Sequence, residues 1–203
     1  MKIAVIGVTG RVGSRVASEL LRRGHAVTGI ARDVSKTAAR EGLSLKPGDA
    51  NNVAVLTPLL VSHYAVISAL RFVGMKYEAL TSAVKKAGVK RFLVVGGAGS
   101  LEVAPGEMLK DTPEFPAAWK PEAEAGARFL DLLKQEQALD WAFLSPSAEF
   151  APGERTGKFR VGDDRLLTDA TGKSHISMED FAIAMADELE RPAHHRGRFT
   201  VGY

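Results

Sequence analysis

The chain alternates short apolar runs with stretches in which apolar residues recur every three or four positions. Ile3–Ile6 is apolar without interruption, as a strand buried on both faces requires. From Arg11 to Arg23, Val12, Val16, Ala17, Leu20 and Leu21 recur at helical spacing, and Gly24 stops the helix as glycine does just past a C-terminus. His25–Arg32 predicts a second strand, and Asp33 or Ser35 is placed to cap a short helix running to about Arg40. Leu43–Asp49 predicts a third strand, and Asn51–Leu60 a helix limited by Pro58. Tyr64–Leu70 and Lys90–Gly97 read as the fourth and fifth strands, with a helix over Tyr77–Ala87 between them that Gly88 closes. Pro121–Gln137 is a long helix with proline in its first turn, and Asp140–Pro146 is a sixth strand.

Strands and helices in strict alternation, with short connections, imply a parallel sheet covered on both faces and joined by right-handed crossovers. The expected fold is therefore α/β, a doubly wound parallel sheet, with residues 1–203 forming one domain. The rhythm breaks after Pro146. Residues 147–177 carry turn formers and only short apolar runs, and read as an irregular segment in a small C-terminal lobe on the substrate side. A helix follows, with Ser177 as N-cap, Asp180 at its third position and an apolar face of Phe181, Met185 and Leu189. Gly197–Tyr203 predicts a last strand. No internal repeat or low-complexity segment occurs.

Composition narrows the chemistry. There is no cysteine, so disulfides and thiol mechanisms are excluded, and a reducing cytoplasm is the expected location. The formal net charge is +3, and the basic residues are scattered, so no nucleic-acid partner is expected. No run of about 18 apolar residues is present, so no membrane span is expected. Ile3–Ile6 is also too short for a signal-peptide core of roughly 7–15 residues.

Between the first strand and the first helix stand Gly7, Gly10 and Gly13, in the stretch IGVTGRVGSRV. A dinucleotide fold turns tightly here and lets a pyrophosphate approach backbone N–H groups at a helix N-terminus. A Cβ at Gly10 would hold the phosphates away, and Gly13 allows close packing of helix on strand. The end of the second strand chooses between cofactors. An NAD enzyme places a carboxylate there, roughly 20 residues beyond the glycines. This chain has Arg32, whose guanidinium can meet a 2′-phosphate, and Arg11 in the glycine loop can reach the same group. These residues favour NADP; Asp33, turned inward, would serve NAD.

The spacing G-x-x-G-x-x-G, with Thr9 before the second glycine and Arg11 and Val12 before the third, resembles the atypical short-chain dehydrogenase/reductase superfamily. The likeness extends over nearly the whole chain. The stretches VVGGAGSLEVAPG, LSPSAEF and HISMEDFAIAMADELE resemble its NAD(P)H–flavin reductase branch, relatives of the biliverdin-IXβ/flavin reductases. The resemblance implies an NAD(P)-binding Rossmann fold in which Asp49 accepts from the adenine amino group. It also implies that Ser68, Ala69 and Leu70 run beside the adenosine ribose, that Gly96 and Gly97 lie by the nicotinamide ribose, and that Ser145 and Pro146 border the nicotinamide.

Short-chain dehydrogenases that act on alcohols use a Tyr-x-x-x-Lys pair, the lysine lowering the tyrosine pKa for proton transfer. Here Tyr64 is followed four residues on by Ser68, and Tyr77 by Thr81; neither makes the pair. Carbonyl reduction and sugar epimerisation lose their usual acid/base group, whereas hydride transfer to a flavin needs none from the protein. The expected activity is thus reduction of a free flavin or similar planar acceptor by NADPH, with no catalytic side chain. Phe115, Trp119 and Phe150 are candidates for an apolar wall for the acceptor ring, and Ser100 for a hydrogen-bond donor to it. A non-catalytic NADP-binding sensor is the alternative. Small molecules are the expected partners, for a monomer or homodimer. His194 and His195 read as a surface turn rather than a metal site, and Asp163 and Asp164 as a solvated turn. His25 reads as structural, and His175 as a residue able to approach the substrate pocket.

Overall fold

A computed structural model describes residues 1–203. The strands β1 (Lys2–Ile6), β2 (Ala26–Ala31), β3 (Leu43–Pro47), β4 (Ala65–Ser68), β5 (Arg91–Val95) and β8 (Asp140–Ser145) build most of the main sheet, with a helix between successive strands except from β2 to β3. The helices are α1 (Arg11–Arg22), α2 (Val53–Leu60), α3 (Tyr77–Lys86) and α4 (Lys120–Lys134). A small hairpin, β6 (Glu102–Ala104) and β7 (Glu107–Met108), stands between β5 and α4. After β8 come β9 (Glu149–Ala151), β10 (Arg160–Gly162), β11 (His175–Ser177), α5 (Met178–Glu190) and β12 (Gly197–Gly202).

The main sheet has eight strands in the order β10-β12-β8-β5-β4-β1-β2-β3, all parallel except β10, which runs antiparallel to β12. Strand order runs outward from β1 in both directions, to β2 on one side and β4 on the other. A crevice opens beyond the carboxyl ends of the strands at such a switch point. Alternate strand residues feed two cores. Ile3, Val5, Ile67, Leu93 and Leu144 pack under α1 and α5, against Val16, Leu20, Phe181, Met185 and Leu189. Ala4, Ile6, Val66, Phe92 and Phe143 pack under α2, α3 and α4, against Leu56, Leu80, Val84, Phe129 and Leu133.

The expected doubly wound α/β fold is the fold observed, and Ser177 caps α5 through a bond from the Asp180 N–H, 3.0 Å. One predicted element is absent. Residues 33–40 form no helix, because Asp33 spends its carboxylate on the N–H (2.9 Å) and hydroxyl (2.7 Å) of Ser35, two residues on. That local turn competes with a helix start, and Lys36–Arg40 offers no apolar stripe to reward one. The segment 147–177 is more ordered than its composition suggests: β9 pairs with β11 in parallel, and β10 joins the main sheet.

Residues 152–158, between β9 and β10, form a strap over the seam of α1 and α5. The buried Glu19 of α1 accepts from Arg155 (Nε 3.0 Å, Nη2 2.8 Å) and from Arg23 Nε, 3.0 Å. Glu179 of α5 accepts from Arg15 of α1 at 2.6 Å and from the Gly153 N–H at 2.8 Å. Fully buried Asp180 accepts from the Gly157 N–H (2.8 Å), the Tyr203 hydroxyl (2.8 Å) and Thr156.

Candidate cofactor site

The crevice above β1 is built from bare backbone. Gly7 ends β1 at φ +86°, a conformation that L side chains avoid, and donates to Ile30 O at 2.8 Å. Gly10 N–H closes the turn on Gly7 O at 2.9 Å, and Gly10 stands at the N-cap of α1 with no side chain to occupy the helix mouth. Ser14 N–H is the first in α1 to reach a carbonyl, Gly10 O at 3.0 Å; those of Arg11, Val12 and Gly13 take no backbone partner. Free N–H groups at a helix N-terminus, with the helix dipole behind them, suit an anion. Gly13 has a separate duty: a Cβ there would overlap the Gly7 carbonyl, so α1 can lie this close to β1 only without one.

The other predicted cofactor residues line the same edge of the sheet. Arg32 follows β2, exposed, with no hydrogen bond or ion pair, and Arg11 presents an exposed side chain at the start of α1. Asp33 is held by Ser35, whose hydroxyl and N–H keep its carboxyl below the ordinary aspartate value, and this leaves Arg32 as the free charge at the strand end. Asp49 is exposed after β3 and accepts from Asn51 N–H at 2.9 Å. Ser68 is buried at the end of β4, and Ala69 N–H donates to Ile6 O at 2.8 Å, which sets this turn beside the glycine loop. Gly96 packs on Phe143 where a Cβ would overlap the ring, and Gly97 beside it is half-exposed. Ser145 is fully buried with an unpartnered hydroxyl, and Pro146 is buried next to it. The free helix-end donors, the glycine cradle and the unpaired Arg32 fit a phosphorylated dinucleotide.

Residues 7–192 match the family of NAD(P)H-binding domains. The chain belongs to that family. It is 41% identical over 212 residues to the uncharacterized protein YwnB of Bacillus subtilis (strain 168), covering 99% of this chain and 98% of YwnB. A solved "putative epimerase" from Bacteroides thetaiotaomicron is 44% identical, with a TM-score of 0.95 over 100% of this chain and 96% of that one. A "putative NADH-flavin reductase" from Streptococcus pneumoniae is 36% identical, with a TM-score of 0.84 over 100% and 99% of the two chains. An oxidoreductase-like, NAD(P)H-binding Rossmann fold accounts for the crevice above β1.

On the acceptor side the predicted residues part company. Trp119 is 65% exposed and Phe115 half-buried, both just before α4. Phe150 packs inward on Phe181, ring centroids 4.8 Å apart, so its ring serves the core under α5. Ser100 is also committed elsewhere: its Oγ and carbonyl accept from Arg198 Nη1 at 3.0 and 2.8 Å. It lines a separate cleft of about 430 Å³ with Lys110, Arg128, Asp164 and Arg198, which includes no residue of the glycine loop. Asp164 lies in an exposed bend, as expected, and from there also holds Arg198 Nε at 2.7 Å.

None of the three tyrosines is free in the groove. Tyr64 lies before β4, at the opposite edge of the sheet, and is half-exposed. The Tyr77 hydroxyl lies within donating distance of Ala125 O (2.8 Å) and Phe72 O (3.1 Å), and burial pushes its pKa above the ordinary value. Tyr203 is bound to Asp180, and burial raises its pKa too. His175 stacks edge-on against Tyr203 at 5.0 Å. His194 and His195 diverge as adjacent residues do, to Glu188 (2.8 Å) and Asp140 (2.9 Å), and no group of three or more His, Asp or Glu side chains could hold a metal ion. No helix is long and apolar enough to cross a membrane.

Proposed function

We propose that this protein is an NADPH-dependent reductase that passes hydride to a free flavin or a similar planar acceptor. NADPH, when bound, supplies the hydride. The observation that carries the proposal is the pairing of an exposed aromatic, Trp119, at the head of α4 with a groove from which every tyrosine hydroxyl is diverted. The N–H groups of Arg11, Val12 and Gly13 hold the pyrophosphate, and Arg32 with Arg11 holds the 2′-phosphate. Asp49 orients the adenine. Ser68, Ala69 and Leu70 line one ribose, Gly96 and Gly97 the other, and Ser145 and Pro146 border the nicotinamide. Trp119 and Phe115 present flat apolar surface to the acceptor ring.

Such a reaction asks the protein for positioning rather than proton transfer. A flavin takes hydride at N5, and backbone N–H groups or water can meet the developing negative charge. An alcohol dehydrogenase or an epimerase of the short-chain kind would use a Tyr-x-x-x-Lys pair, which this sequence lacks. The proposal includes a cytoplasmic setting, where NADPH is available. The test is NADPH absorbance decay with and without FMN, FAD, riboflavin and quinones, with C4-deuterated NADPH as a second arm. Turnover on adding acceptor is expected, with a primary isotope effect where hydride transfer limits the rate. Intact NADPH binding with no turnover on any of these acceptors would replace the reductase by a non-catalytic NADP sensor.

A further inference from the structure

The turn after β4, residues 69–76, is gripped from outside the groove. Glu122, in the first turn of α4, accepts from the Phe72 N–H at 2.6 Å through one carboxylate oxygen and from the Val73 N–H at 3.1 Å through the other. Its side chain is 23% exposed, and Arg71 stands 3.6 Å away. At the far end of the turn, Asn51 donates to Gly74 O at 2.9 Å and accepts from Lys76 N–H at 2.8 Å.

The ring of Phe72 is wedged between α4 and the turn after β5. It stacks on Phe143 with centroids 6.1 Å apart and meets Phe129 edge-on at 6.3 Å. On the helix side a Cβ at Gly126 would come within 2.9 Å of the ring, so only glycine admits it there without a shift. On the other side a Cβ at Gly97 would lie 3.6 Å from the same ring, ordinary contact distance. Phe72 therefore spaces the Ser68–Leu70 turn from the Gly96–Gly97 turn, and Glu122 holds the backbone that seats it.

We infer that Glu122 is a positioning residue for the dinucleotide, setting through Phe72 the distance between the two turns that face its riboses. The inference rests on the reading of those turns as cofactor walls and is independent of the acceptor. A carboxylate bonded to two N–H groups is a strong, directional hold. Walls fixed in advance reduce the ordering cost of a ligand that touches both. A fragment that touches only one wall gains little from their spacing.

The experiment compares NADPH with 2′,5′-ADP, which carries only the adenosine half, by equilibrium titration on wild type, Glu122→Ala and Glu122→Gln. Amide hydrogen exchange and thermal melting are read on the same samples. Glu122→Ala is expected to raise the Kd of NADPH roughly tenfold, the scale of a lost charged hydrogen bond, with Glu122→Gln intermediate. The Kd of 2′,5′-ADP should stay within about twofold, and the Phe72 and Val73 amides should exchange faster. Faster exchange with an unchanged NADPH Kd would overturn the inference, leaving Glu122 a support for the fold alone. Equal losses for both ligands would overturn it as well, since they would mean general loosening. If Glu122→Ala does not fold, Glu122→Gln carries the same comparison. If wild type binds neither NADPH nor NADH, the cofactor reading itself fails and the inference falls with it, an outcome distinct from the other two.

Discussion

Arg32 stands at the end of β2 with no protein partner, although an arginine on a folded surface readily finds a carboxylate. The nearest one in sequence, Asp33, is occupied by Ser35. Arg32→Ala is therefore expected to weaken NADPH by about 1.5–3 kcal/mol, the range for a lost hydrogen bond to a charged group, and to leave NADH nearly unchanged. Fluorescence titration of both cofactors checks this; equal losses would remove Arg32 from the 2′-phosphate. The places of such residues in the fold were legible in the sequence because they are set locally. Three glycines and an arginine at a strand end are read within one βα unit. Glu122, Arg198 and Arg155 were not legible. Their partners lie 50, 98 and 136 residues away, and each looks like an ordinary surface charge until the chain is folded.

Among the elements, the seam between α1 and α5 matters most, because α1 carries the glycine loop and the free N–H groups at its N-terminus. Burial would raise the Glu19 carboxyl, but its bonds to Arg155 and Arg23 outweigh this and hold its pKa below the ordinary glutamate value. Glu179 behaves alike, with burial opposed by Arg15 and the Gly153 N–H. A carboxyl whose folded pKa is depressed adds stability above its unfolded value, near 4.3, and that stability drains away as pH falls through the folded value. The melting temperature should therefore decline below about pH 4.5. Arg155→Ala should lower it at pH 7 and make the acid decline shallower, because Glu19 then has less to lose on protonation. Melts from pH 3 to 7 on both proteins test this, and parallel curves would detach the strap from acid stability. The long helices and the seven parallel strands of the central sheet could be read from the pattern of apolar residues. The β6–β7 hairpin and the β9–β11 pair could not, since strands of two or three residues are too short to show a period of two. The helix expected over 33–40 failed for a local reason: one aspartate chose a turn over a cap.

For the molecule as a whole, the tyrosine hydroxyls are held in structural contacts or lie away from the crevice above β1, and of the histidine rings His175 alone keeps a buried nitrogen, Nδ1, without a hydrogen-bond partner. The pH dependence of kcat with a flavin acceptor is accordingly expected to be shallow between about pH 6 and 8. His175→Ala and Tyr203→Phe should each change the rate by less than the roughly 10²–10⁴-fold that a general acid contributes. A bell-shaped profile together with a collapse in either variant would place an acid in the groove. The outer limits of the sheet carry a different consequence. At one end, β3 offers the edge with Lys46 and Pro47 in its last two positions; at the other, β10 is three residues long, starts at Arg160 and runs against the grain of the sheet. Prolines, charges and very short edge strands make poor templates for an incoming chain. The sheet is thus blunted at both ends, and copies that meet in a crowded solution gain little by extending its backbone ladder.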